Sequence, residues 1–182
     1  MKKFSCVACV ICIVFSLVGC TVSSTAEKMP TIVFLHSVYD PSGHGDERFA
    51  SDIITFYDCD GNYCNVTNVE KRALTIDKLI EEYEAGKLSD SIEIVSKCEM
   101  SELKANYKKL CDLSENADFA LKEFDVRPTV EGPVEAWYGI YFDGDNRKKI
   151  LFRKKDVAGD HTPNDERASE IYEWILASLE NN

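Results

Sequence analysis

The chain has 182 residues, of which 21 are Lys or Arg and 32 are Asp or Glu, so its formal net charge is −11 at pH 7. Proteins that bind nucleic acid present a basic face to the phosphates, so this balance argues against a nucleic-acid partner. The length suits a single compact domain that buries a core of its own.

The N-terminus has the layout of an export signal. Two lysines precede an uncharged run from Phe4 to Gly19, and Cys20 follows this run directly. A membrane-spanning helix needs about 20 apolar residues, and this run is shorter. The sequence Leu-Val-Gly-Cys at positions 17–20 resembles the lipobox of bacterial lipoproteins. The resemblance implies that residues 1–19 are a lipoprotein signal peptide and that Cys20 becomes the lipid-modified N-terminus.

The lipid on Cys20 is expected to anchor the protein, and the residues that follow are expected to act as a spacer. Two or more acyl chains give stable membrane attachment, at about 0.8 kcal/mol per buried CH2. Residues 20–29 are mostly polar or small, which favours a lipid-anchored flexible tether. Residues 30–182 are then expected to form one domain on the extracytoplasmic face of the cell membrane.

The cysteines fall into groups with different expected roles. Three of the eight lie in the signal peptide and Cys20 is the predicted lipid site. The disulfide candidates are Cys59, Cys64, Cys98 and Cys111. Export favours disulfides, and the spacings of these cysteines do not resemble a zinc ribbon or finger.

The pairing of these cysteines depends on the register of a hairpin. With Gly61-Asn62 as a two-residue turn, Cys59 faces Cys64, and Cys98 with Cys111 is then the second pair. With Asp60-Gly61 as the turn, Cys59 instead faces Asn62 and the first pairing is lost.

The first part of the domain predicts a strand, a loop and this hairpin. Ile32–Leu35 is a short apolar run typical of a first strand, and residues 40–47 are dense in turn-forming residues. The apolar runs Ser51–Asp58 and Tyr63–Val66 flank an Asp-Gly-Asn sequence, which is a hairpin signal.

Two helices and a strand are predicted next. Thr75 can cap a helix whose apolar residues share one face, and Gly86 suits its left-handed end. The apolar residues in 92–95 indicate a strand. A second helix is predicted from Ser101, because apolar residues recur at helical spacing after it.

The last part of the chain is rich in predicted strands and closes with a helix. Strands are expected at 119–126, at Ala136–Phe142 and, after a turn, at 149–152. Thr162, followed by proline, is expected to cap the closing helix. With two hairpins, about three helices and no βαβ rhythm, the predicted fold class is α+β with a mainly antiparallel sheet of about five to seven strands.

Candidate catalytic chemistry depends on the only three histidines, His36, His44 and His161. A zinc site would need them to converge from loops 36–47 and 160–165, and their spacing fits no H-E-x-x-H motif. The nucleophile motif G-x-S-x-G is also missing from the sequence. We therefore predict no catalytic centre, metal or cofactor. A small extracytoplasmic hydrolase or metal-dependent enzyme that uses these histidines is the alternative.

The aromatic run near position 140 offers a candidate binding surface. Strand alternation places Trp137 and Tyr141 on one side, with Gly139 between them, and Tyr138, Ile140 and Phe142 on the other. If the first side stays uncovered, its rings are the best candidate binding surface. If a helix covers it, they are core residues.

Several sequence features together resemble the uncharacterised small lipoproteins of Gram-positive bacteria. These are the lipobox, the Asp-Gly-Asn hairpin, the block Leu79–Lys87, the Trp-Tyr-Gly strand and the closing Ile171–Trp174 segment. The resemblance implies a membrane-anchored extracytoplasmic lipoprotein and no specific activity. We expect a module that binds an unidentified protein or small-molecule ligand and contacts the membrane through its lipid. A structural envelope component is a further alternative.

Overall fold

The computed structural model describes residues 28–39, 51–67, 75–114, 133–156, 159–161 and 165–180. Over these ranges the chain forms three α-helices and a seven-stranded sheet, which confirms the predicted α+β class. The strands are β1 (Ile32–Tyr39), β2 (Ser51–Asp58), β3 (Asn62–Val66), β4 (Ile92–Lys97), β5 (Val134–Asp143), β6 (Asn146–Asp156) and β7 (Gly159–His161). The helices are α1 (Ile76–Glu84), α2 (Met100–Ser114) and α3 (Glu166–Glu180).

The sheet is antiparallel throughout and grows outward from its first strand. Its order is β4-β3-β2-β1-β5-β6-β7. β1 pairs with β2 on one side and with β5 on the other. The sheet continues from β2 through β3 to β4 on one side, and from β5 through β6 to β7 on the other. β1 is therefore the central strand, and β4 and β7 are the edge strands.

The sheet carries a helical layer on each face. One core cluster joins α2 and α3 to the sheet and includes Leu110 and Ile171. A second cluster joins α1 to the opposite face and includes Leu79. Each helix thus buries one apolar face and leaves its polar face to solvent.

β5 contributes to both clusters because its side chains alternate between the two faces. Trp137 and Tyr141 belong to the cluster under α2 and α3, and Ile140 belongs to the cluster under α1. The predicted alternation is therefore confirmed from Trp137 to Tyr141. Gly139 lies between the two aromatic residues, and the Leu110 side chain of α2 occupies the space that a Cβ would need there.

The predicted ends of α1 are confirmed. Thr75 is the N-cap, and its hydroxyl accepts a hydrogen bond from the backbone N–H of Lys78 at 3.2 Å. Gly86 follows the helix with a φ of 67°, in the left-handed region that glycine adopts at little cost.

Other boundaries differ from the prediction. The predicted cap Thr162 and the proline after it lie outside the described residues. α3 begins at Glu166, and Asp165 accepts a hydrogen bond from the Arg167 backbone N–H at 2.9 Å. An aspartate at this position is a strong N-cap, which explains the start at Glu166. β7 forms within the predicted loop 160–165. The strand predicted at 119–126 lies outside the described residues.

The first hairpin takes neither of the two predicted registers. Phe56 pairs with Cys64, so residues 59–61 form the loop between β2 and β3. Cys64 therefore faces Phe56, and the prediction that it faces Cys59 is wrong. The Asp58 carboxylate accepts hydrogen bonds from two backbone N–H groups at this turn, which stabilises the longer loop.

The four cysteines within the described ranges are free thiols. Cys98 precedes α2, whereas Cys111 lies about 16 Å along that helix, which is too far for a disulfide. The predicted Cys98–Cys111 pair is therefore also wrong. Burial raises the pKa of Cys64 to about 12, and the charge of Asp58 adds to the effect, so this thiol stays protonated at neutral pH.

Candidate functional site

A small cavity lies between the sheet and the C-terminal half of α3. Its volume is about 20 Å³, which is room for one water-sized group. We call it the His36 pocket and define it by Phe34, His36, Thr55, Tyr57, Trp137 and Leu179. β1, β2 and β5 form its floor, and α3 forms its wall.

Strand register brings the polar and aromatic residues of the floor together. His36 on β1 lies opposite Thr55 of β2 and opposite Trp137 of β5. The imidazole stacks on the indole, with ring centroids 4.5 Å apart and planes 14° apart. The Thr55 hydroxyl lies 3.5 Å from Nδ1 of His36. The structure thus joins two residues that the sequence singled out separately, His36 and Trp137.

One polar atom of the pocket, Nε2 of His36, is buried and has no hydrogen-bond partner among the described residues. The hydroxyl of Tyr57 is also buried, and its neighbour is the Ser178 hydroxyl of α3. Oδ1 of Asn106 is buried without a partner too, but it lies on α2 and does not belong to the pocket. A buried polar group left unpaired costs about 1–3 kcal/mol, so Nε2 beside the cavity indicates a place for a polar ligand group.

Burial sets the protonation of both groups. It lowers the pKa of His36, and the negative charge of Glu135 opposes this shift only in part. The imidazole is therefore neutral at pH 7 and can either donate or accept a hydrogen bond. Burial raises the pKa of Tyr57 to about 12, although the nearby Ser178 hydroxyl lowers it somewhat. The phenol is therefore also neutral.

The Trp137 indole also contacts a cation–aromatic pair, formed by Tyr172 and Arg153. Tyr172 of α3 packs edge-on against the indole at 5.2 Å between centroids. The Arg153 guanidinium lies 3.5 Å from the centre of the Tyr172 ring and binds Asp160 through two hydrogen bonds, one of them 3.0 Å long. These contacts hold the indole in one orientation beneath the helix.

The aromatic surface predicted at Trp137 and Tyr141 is covered. Trp137 is only 5% exposed, and Tyr141 is half-buried against the same core cluster. The reason is that α2 and α3 pack on this side of β5, so the uncovered side that the prediction required is not present. Trp137 contributes to the site as one wall of the pocket.

The two histidines whose backbone lies in the described ranges are on different strands of the sheet. His36 lies within β1, whereas His161 lies on β7, three strand spacings or about 14 Å away across the sheet. His44 and the side chain of His161 lie outside the described residues. Nδ1 of His36 faces the Thr55 hydroxyl, where a catalytic triad would place a carboxylate.

The described residues contain no group of three or more His, Cys, Asp or Glu side chains arranged to hold a metal ion. None of the helices in these ranges has the length and apolar character to cross a membrane.

Sequence reasoning missed Thr55 and Tyr57 as site residues. Both lie in the predicted strand 51–58, and their spacing of two places them on the same face. The pairing of β2 with β1, which brings them to His36, has no local sequence signal.

Comparisons with known proteins do not assign the chain to a family. No protein-family model, curated protein or solved structure matches the chain.

Proposed function

We propose that the chain is a membrane-anchored extracytoplasmic lipoprotein, held by a lipid on Cys20, whose domain binds a small-molecule ligand or partner protein at the His36 pocket. The observation that carries the proposal is Nε2 of His36, a buried polar atom of this pocket without a hydrogen-bond partner among the described residues. A ligand that supplies a hydrogen-bonding group offsets the cost of burying it.

The pocket favours a ligand with a polar tip and an apolar body. The cavity accepts a group about the size of a hydroxyl, because its volume is about 20 Å³. Its walls are otherwise aromatic and aliphatic, and Leu179 at the rim is 37% exposed. An apolar body can therefore cover the Leu179 side chain while the polar tip enters the pocket. A small phenol or alcohol, or a partner side chain of that kind, has this form.

Phenol is expected to bind the purified protein more tightly than fluorobenzene, which has a similar size but no hydroxyl. Replacing His36 with Phe retains a ring to stack on Trp137 and removes Nε2. We expect this variant to bind phenol about tenfold more weakly, the effect of one buried hydrogen bond of about 1.4 kcal/mol. Titrations followed by ligand-observed NMR give both affinities.

The matched control for this prediction is Glu81→Gln, on the exposed face of α1, which is expected to leave both affinities unchanged. Equal affinity for phenol and fluorobenzene in the unmodified protein, unchanged by His36→Phe, contradicts binding at the pocket.

Replacing Cys20 with Ala is expected to release the protein from the membrane fraction of cells, because the variant lacks the thiol to which the lipid is attached. The unmodified protein is expected in the detergent phase after phase partitioning, and the variant as an unprocessed precursor of lower mobility. Cys12→Ala, within the signal peptide, is the matched control and should behave like the unmodified protein. A Cys20→Ala variant that still yields a mature, detergent-phase protein refutes the anchor.

A further inference from the structure

The edge strand β4 exposes large aliphatic side chains. In the described part of the chain it pairs with β3 alone. Ile94 is 62% exposed and Val95 is 54% exposed. An edge strand also presents backbone N–H and C=O groups that another extended chain can pair with.

Hydrogen bonds to β3 determine which groups of β4 point outward. The N–H of Thr67 donates to the carbonyl of Ser91 at 2.7 Å, and Glu93 lies two positions further along the same ladder. The carbonyl of Ser91 and the backbone groups of Glu93 therefore point towards β3. Because this direction alternates along an antiparallel strand, the N–H and C=O groups of Ile92 and Ile94 point away from the sheet.

A β-bulge limits how far this outward edge extends. The register shifts between Tyr63 and Cys64 of β3, and Val95 is the extra residue on β4. A bulge bends the strand and interrupts regular pairing. The segment available to a second chain is therefore short and centres on Glu93.

The side chains of this segment specify what can pair with it. An antiparallel strand that bonds to Ile92 and Ile94 places its intervening residue opposite Glu93, at the closely spaced position where no hydrogen bonds form. Opposite charges there stabilise the pair, and like charges destabilise it. We propose that β4 binds an extended segment of a partner protein, with Lys or Arg opposite Glu93 and β-branched residues opposite Ile92 and Ile94.

Two features favour a basic partner segment over a second copy of this chain. The symmetric pairing that uses both Ile92 and Ile94 places Glu93 opposite the Glu93 of the copy, where like charges repel. The formal net charge of −11 also attracts a basic segment over longer range. This docking site is separate from the His36 pocket, so either can be tested without the other.

The test uses two synthetic peptides of identical composition, capped at both ends. One is Thr-Val-Lys-Val-Thr, and the other has Lys moved to the first position. We expect the first peptide to bind about fivefold more tightly, because only its Lys lies opposite Glu93 with Val on both sides. Amide NMR titration of the labelled protein measures both affinities and should show the largest shifts at Ile92 and Ile94.

Two variants separate this docking from general charge attraction. Glu93→Lys is expected to abolish the preference for the centred Lys, whereas Glu81→Lys, with the same change of net charge on exposed α1, should retain it. The N–H of Ile94 points outward and makes no hydrogen bond to β3. Ile94→Pro removes this N–H and should abolish peptide binding. Equal affinity for the two peptides, shifts confined to residues outside β4, or self-association through β4 without peptide each overturns the proposal.

Discussion

Replacing Asp58 with Ala is expected to lower the free energy of unfolding by about 3 kcal/mol. The Asp58 carboxylate is only 4% exposed. It accepts hydrogen bonds from the backbone N–H groups of Asp60 and Asn62 at 2.9 and 2.8 Å, from the Asn62 side-chain amide at 2.7 Å and from the Tyr83 hydroxyl at 3.2 Å. Without the carboxylate, these donors lose their acceptor at the point where the hairpin meets α1.

Urea denaturation measures this loss, and the melting temperature should fall by about 10 °C. Tyr83→Phe removes one of the four hydrogen bonds and retains the carboxylate, so it should cost only about 1 kcal/mol. If Asp58→Ala costs no more than Tyr83→Phe, the carboxylate does not organise the hairpin loop as described.

Asp58 also shows why local patterns predicted the strands but not their exact pairing. The flanking apolar runs and the Asp-Gly-Asn sequence were sufficient to predict the hairpin. Its register depended on the side chain of Asp58, which binds two backbone N–H groups and thereby favours a three-residue loop. Standard two-residue turns do not anticipate this contact, and the predicted Cys59–Cys64 pairing failed for that reason.

Features coded by neighbouring residues were predictable. Thr75 caps α1 as expected, since its hydroxyl needs only the backbone N–H three residues ahead. The alternation along β5 is likewise a property of one strand. Whether the Trp137 side chain is exposed or buried depended instead on α3, which is distant from β5 in the sequence and packs over the indole.

The His36 pocket depends on contacts between distant segments. The first strand was predicted from the apolar run Ile32–Leu35, and His36 was assigned to the loop that follows it. β1 instead continues to Tyr39 and lies between β2 and β5, so His36 is an internal strand residue. The stack of His36 on Trp137 follows from the pairing of β1 with β5. No local pattern encodes that pairing, and both residues were therefore identified without being placed together.

Replacing Gly139 with Ala is expected to destabilise the domain by about 2 kcal/mol. A Cβ at this position would overlap both Cδ atoms of Leu110 and would lie 2.9 Å from its Cγ. Leu110 is fully buried between α2 and the sheet, so it has little room to move. Glycine is otherwise unfavourable within a strand, which means that the destabilisation would arise from the overlap alone. Urea denaturation measures the effect.

The effect of Gly139→Ala on the free energy of unfolding should change sign when Leu110 is replaced by a smaller residue. Leu110→Ala alone is expected to cost about 3 kcal/mol through lost burial and the cavity it leaves. In that background, Gly139→Ala meets no Leu110 Cγ or Cδ atoms, fills part of the cavity and removes an unfavourable strand glycine. It should then stabilise the domain by about 0.5–1 kcal/mol relative to Leu110→Ala. If the two costs simply add, the close approach of α2 to β5 at Gly139 does not set the packing distance between them.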